Sequence, residues 1–238
     1  MIKKLLDIKI LLGISIIFAS IISALILGNA IIKFKTLDRS ITVKGLSERE
    51  YPADIVIWPI GFSETANNLT ILYNTLDNNK NIVTNFLIKK GLSMDEISIS
   101  SPQITDRQTL TYNDSSSEFR YIAKQYITIR STNIIFIQQL MSNLPELGKK
   151  GIVFLDKNYD NPIQYTFSKL NSIKPEMIEE STKEARTVAM KFATDSQSKL
   201  GKIKNASQGQ FTIRDRDFNN PHIKLIRVVS TIEYYLSD

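Results

Sequence analysis

One apolar stretch, Ile10 to Ile32, runs for 23 residues without a charge, and nothing else in the 238-residue chain matches it. At about 1.5 Å per residue it spans roughly 34 Å as a helix, enough to cross a hydrocarbon core about 30 Å thick. It therefore partitions the chain. Residues 1–9 form a basic flank, 10–32 a transmembrane anchor, 33–40 a juxtamembrane linker, and 41–238 a domain of soluble character. A cleavable secretory signal would share the basic start, and Gly28-Asn29-Ala30 supplies a small-x-small site before Ile31. Signal cores run about 7–15 residues, however, and this stretch is well past that, which favours an uncleaved anchor.

The flanking cations fix orientation poorly, because Lys3, Lys4 and Lys9 face Lys33, Lys35, Arg39 and Lys44 across the stretch. The layout is more informative. A lone spanning helix at the amino terminus with a long domain behind it acts as a signal-anchor, and long domains translocate largely regardless of charge. Residues 1–40 hold six Lys/Arg and two Asp/Glu, so +4 of the net +6 flanks the anchor. The remaining 24 cations and 22 anions leave the domain near neutrality, without the basic footprint that nucleic-acid binding requires. The absence of cysteine removes disulfides and thiolate chemistry.

Within the domain, Ile41–Val43 and Pro52–Glu64 read as strands, and Pro59 in the second demands an edge, an end or a bulge. Leu69, Leu72, Tyr73, Leu76, Val83, Phe86 and Leu87 recur at helical spacing and end at Lys89-Lys90-Gly91, an amphipathic helix with a glycine stop. Strands are expected at 96–100, 103–112 and 119–130, with Asn113 to Ser117 as a hairpin loop. A shorter helix should carry Ile134, Ile137, Leu140, Met141 and Leu144 inward and stop before the Pro145 to Gly151 segment. Two further strands, 152–155 and 163–167, flank the turn Asn158 to Pro162. The longest helix is expected from about Pro175 to Leu200, capped by Gly201, with Met177, Ser181, Ala185, Val188, Ala189, Phe192, Ala193 and Leu200 inward. Final strands cover 203–213 and 223–236 around the charged loop Arg214 to Asn220. This is an α+β chain of antiparallel sheets, two long packed helices and one shorter helix, preceded by one transmembrane helix. A glycine and a strand follow each long helix, a pattern expected of two related halves.

No reaction centre assembles from these residues. His222 is the sole histidine, which rules out any two-histidine metal site, and after Pro221 it reads as a turn or strand-entry residue. Ser196-Gln197-Ser198-Lys199 fits a Ser-x-x-Lys pattern, but it falls at a helix end and lacks the companion elements of a serine acyltransferase. Glu179, Glu180 and Glu184 intermingle with Lys183, Arg186 and Lys191, as on a solvated helix face. Asp156 and Asp160 bracket Lys157 in a turn. Arg214-Asp215-Arg216-Asp217 reads as self-paired surface charge, with an oligomer contact as the competing function. Gly45 and Gly61 belong to no phosphate-binding pattern. The expected catalytic, cofactor and metal residues are therefore none.

The run Ile-Thr-Val-Lys-Gly-Leu-Ser-Glu-Arg-Glu-Tyr-Pro-Ala-Asp from Ile41 to Asp54 resembles the SIMPL-domain family. So do the strand ending Ile57-Trp58-Pro59-Ile60 and the helix from Glu184 to Ala193 leading to Leu200-Gly201-Lys202-Ile203. Pro52-Ala53-Asp54 stands where many members have Pro-Asp. The resemblance implies an α+β fold of helices on antiparallel sheets, in an exported or periplasmic bacterial protein linked to oxidative-stress defence. It also implies assembly into ring-like or channel-like oligomers, and it brings no catalytic residues. The resulting expectation is a single-pass protein of the bacterial inner membrane whose carboxy-terminal domain is periplasmic. It would be non-catalytic, held in the lipid bilayer by residues 10–32, and would act as a homo-oligomer or through an envelope protein partner. The competing expectation is an envelope enzyme or small-molecule binder using a cleft between the two halves.

Overall fold

The computed structural model describes residues 13, 16–31, 39–109, 118–155 and 161–237. Gly13 and residues 16–31 (α1) are helical, and the rest of the expected anchor lies outside the described residues. Among the described residues, no helix is long and apolar enough to cross a membrane.

Among the described residues nine strands and four further helices follow: β1 Ser40–Pro52, β2 Ile55–Ala66, α2 Leu69–Lys89, β3 Ile97–Ile99, β4 Gln103–Asp106, β5 Tyr121–Ser131, α3 Ile134–Ser142, α4 Pro145–Gly148, β6 Gln164–Thr166, α5 Leu170–Asp195, β7 Lys199–Gln208, β8 Thr212–Asp215 and β9 Ile223–Ser237. The strand pairs β2–β5, β2–β6, β3–β5, β4–β5 and β7–β9 are all antiparallel. The α+β expectation is met. The chain forms two compact units. An inserted unit comprises Arg49–Ser172 and Ile213–Ile226, and a terminal unit comprises Met1–Glu48, Ile173–Thr212 and Arg227–Asp238.

The inserted unit is built on a sheet ordered β3-β5-β2-β6, with β4 also on β5. Strict alternation in β2 buries Val56, Trp58, Ile60 and Phe62, the period-two signature of a half-buried strand. They share one core with Leu72, Leu76, Val83 and Leu87 of α2 and with Ile137 and Leu140 of α3. Helix α2 begins where the Asn68 side chain accepts from the Thr70 and Ile71 amides, satisfying two of the orphan donors at a helix start. It ends as expected at Gly91, φ 110°. There the Gly91 and Leu92 amides return to the Ile88 and Leu87 carbonyls, the double bond of a Schellman cap. Leu69 and Tyr73, expected inward, are 41% and 48% exposed.

Some expected boundaries move. The strand expected over 103–112 stops at Asp106, whose carboxylate accepts the Gln108 amide while its carbonyl accepts the Thr109 hydroxyl. This local turn outcompetes the ladder. The segment after Leu144 is itself helical, with Pro145 in its first turn, where a missing N–H costs nothing. Residues 152–155 form no strand of the sheet but a single bridge, Phe154 opposite Phe62. The Asn113 to Ser117 loop and residues 156–160 lie outside the described residues.

The terminal unit carries a sheet ordered β1-β9-β7, with β8 also on β9, and helix α5. That helix starts at Leu170, with Pro175 inside it, and stops at Asp195 rather than Leu200. Its cap is Gln197 at φ 56°. The Gln197 and Ser198 amides bond the Thr194 and Ala193 carbonyls at 3.0 and 2.8 Å, again a Schellman pattern. Gly201, the expected cap, lies inside β7. The buried stripe is Met177, Ser181, Ala185, Ala189 and Ala193, while Val188 and Phe192 are 38% and 55% exposed. Four-residue steps on a 3.6-residue helix drift about the axis, so one row of small residues follows the sheet and the larger neighbours fall on its flank. Gly45 of β1 meets this row so closely that a Cβ there would lie 1.8 Å from the Ser181 carbonyl oxygen and 2.9 Å from Ala185 Cβ. Ser181 and Ser230 share a buried hydroxyl bond of 2.6 Å, and Ser47 donates to Glu180 at 2.7 Å.

Candidate functional site

Proline governs the local geometry of a cleft in the inserted unit. One edge of β2 is fully paired with β5, from Val56 opposite Ser131 to Ala66 opposite Tyr121. Among the described residues, the other edge is covered in two places: by β6 at Ile55–Ile57, and around Phe62, where the Leu155 amide bonds the Gly61 carbonyl at 2.9 Å and the Ser63 amide bonds Val153 at 3.2 Å. Gly61 thus directs its polar groups to this edge. By the two-residue period so does Pro59, which has no N–H to offer a third strand. Pro59 satisfies the expectation of an edge.

Between the two covered places lies a cavity of about 640 Å³, floored by Trp58 to Gly61. Leu144, Phe154 and Leu155 wall it, and Asn161, Ile163 and Phe218 stand at its mouth. The described lining has no charged side chain, and Asn161 brings its one side-chain amide. Phe218 is 96% exposed, so about 1.5–3 kcal/mol of possible burial goes unused. Its backbone is nevertheless held. The Asp217 carboxylate accepts from the Asn219 and Asn220 amides at 2.9 Å each and from the Asn220 side chain, while Arg216 donates to it at 2.8 Å and to Glu50 at 3.4 Å. These donors, Arg216 first, hold the Asp217 carboxyl below the ordinary carboxylate range. Of the alternating charges, Arg216 and Asp217 pair with each other, as the sequence reading favours, whereas Asp215 pairs with Lys224 outside the run.

A second cavity, of about 490 Å³, lies beside Ala53, Asn133, Gln138 and His222. The His222 ring meets Tyr165 edge-on at 6.0 Å, and its carbonyl accepts the Ala53 amide at 2.8 Å. It is a strand-entry residue in front of β9. Ser196 bonds back to the Ala193 carbonyl at 3.1 Å at the end of α5, and Ser198 accepts from Arg39 at 3.3 Å, so both hydroxyls are engaged. Asp156 and Asp160 lie outside the described residues. The carboxyl of Glu64 in β2 is pushed up, chiefly by burial and against the opposing bond from Asn79; that bond is 2.5 Å long. Among the described residues, no group of three or more His, Cys, Asp or Glu side chains could hold a metal ion.

The cavity at the β2 edge escapes sequence reading because its walls come from five separated segments. The one signal pointing to it is Pro59 inside an otherwise regular strand. Both cavities lie within the inserted unit. A family model described as SIMPL, protein of unknown function (DUF541), matches residues 41–222. No curated protein matches the chain.

Proposed function

The chain belongs to the SIMPL family, and on that premise we propose a non-catalytic protein of the bacterial cell envelope that acts by self-assembly or by binding an envelope partner. Residues 10–32 hold it in the inner membrane, and residues 41–238 face the periplasm. The observation that supports association is the flank of α5. Val188 and Phe192 stand one turn apart, exposed, beside a stripe of small residues that already satisfies the sheet. Residues 40–48 of edge strand β1 belong to the same unit, and a strand edge is a template for another chain. Any part in oxidative-stress defence is indirect, because the chain has no cysteine to supply a thiolate.

The two halves follow one plan, which supports their common descent. In each, a strand, a helix and a second strand are followed by a strand that inserts between the first two: β2, α2, β3 and β5 in one, β1, α5, β7 and β9 in the other.

Light scattering of the full chain in detergent tests association. An oligomer that Phe192→Glu dissociates is the expected result, and a strict monomer at high concentration overturns self-assembly. Protease added to intact spheroplasts tests orientation: degradation of the domain is expected, and protection would place it on the cytosolic side.

A further inference from the structure

We propose that the cavity at the β2 edge is a binding site for an uncharged, largely apolar small molecule carrying one hydrogen-bonding group. The proposal does not depend on whether the protein self-associates.

Three features of the inserted unit carry it. The volume, about 640 Å³, falls in the range of about 300–1,000 Å³ typical of small-molecule sites. The origin of the cavity is built in, because Pro59 cannot pair a third strand and leaves β2 open between β6 and Phe154. Its chemistry is selective. The described lining offers indole, phenyl and aliphatic surface and the Asn161 amide, with no charge to offset the desolvation of an ionised ligand.

Phe218 supplies the closing contact. A fully exposed phenylalanine on a loose loop would be unremarkable, since scattered surface apolar groups are common. Here the neighbouring Asp217 fixes three donors of the loop and leaves the ring uncovered, at the rim of an apolar cavity. A ligand seated on Trp58 and reaching the mouth would bury that ring without any ordering of the backbone, which lowers the entropy cost of binding.

Trp58 is the only tryptophan in the chain, so the intact protein reports on this cavity directly. The full chain in lipid nanodiscs is titrated with 4-bromobenzyl alcohol, whose bromine quenches indole fluorescence on contact. Saturable quenching in about the 10–1,000 μM range is expected for so small a probe. The anion 4-bromobenzoate should be at least about 10-fold weaker. Phe218→Ala should weaken the alcohol about 3- to 10-fold with an unchanged melting temperature, since the ring makes no folded-state burial. Asn161→Ala should weaken the alcohol but leave 4-bromotoluene unaffected. Linear, non-saturating quenching, equal response to alcohol and benzoate, or indifference to Phe218→Ala would each overturn the proposal.

Discussion

Gln197 occupies a position that glycine usually takes. Its φ of 56° costs a residue with a Cβ roughly 1–2 kcal/mol, partly offset because glycine loses more backbone freedom on folding. Gln197→Gly should therefore raise stability by about 0.5–1 kcal/mol, read as a higher urea midpoint with an unchanged slope. Glu64 makes the opposite kind of statement. Burial raises its carboxyl in the folded chain, so the folded state holds this proton more tightly than the unfolded state does. The group's contribution to stability is thus fully present below the unfolded value near 4.5 and is lost as pH rises through the folded value. Glu64→Gln keeps an acceptor for Asn79 and should flatten that decline, measured as urea midpoints between about pH 4 and 7. Asp106 has the reverse sign. Its hydrogen bond with Arg120 lowers its carboxyl, so its contribution is present above the ordinary range and fades as acid is added.

At the scale of elements, the crossing of α5 over β1 depends on Gly45. Gly45→Ala places a methyl against the Ser181 carbonyl and forces helix and strand apart, at a cost of about 3 kcal/mol; thermal unfolding of the full chain would show it as a lower midpoint. The same contact explains which elements could be read from sequence. Helix α2 is legible from Leu72 onward because leucine, valine and phenylalanine mark its buried side and Gly91 its end, while Leu69 and Tyr73 of its first turns stay exposed. Strand β1 was legible only as Ile41–Val43, because its next inward residues are Gly45 and Ser47, small where the helix backbone comes close and therefore silent to a search for apolar alternation. Helix α5 was misread at both ends: Pro175 imitates a start, and Gly201 imitates a stop that Gln197 performs. Val188 and Phe192 fit a helical period yet stay exposed, since periodicity does not say how wide a stripe the partner surface covers. The cavity had only Pro59 to announce it, and Phe218 gave no pattern at all.

For the whole molecule, charge is distributed by region more than by amount. Residues 1–40 carry +4 and the remaining 198 carry +2, from 24 cations and 22 anions. Replacing Lys3, Lys4, Lys9, Lys33 and Lys35 by glutamine lowers the net charge from +6 to +1 and should abolish retention of the full chain on a cation exchanger at pH 7. Retention unchanged by these substitutions would mean that the domain itself presents a basic face. The insertion of one unit inside the other has a consequence in time. The carbonyl of Arg39 receives the Leu236 amide at 2.8 Å, so this bond joins residues 197 positions apart (236 − 39), whereas Ala66 and Tyr121 of the inserted sheet are 55 apart (121 − 66). Closing the longer loop costs more entropy and delays its reward. Of the described strands, β1 is synthesised first and must wait, unpaired, for β9, so the inserted unit should fold ahead of the unit whose sequence it interrupts.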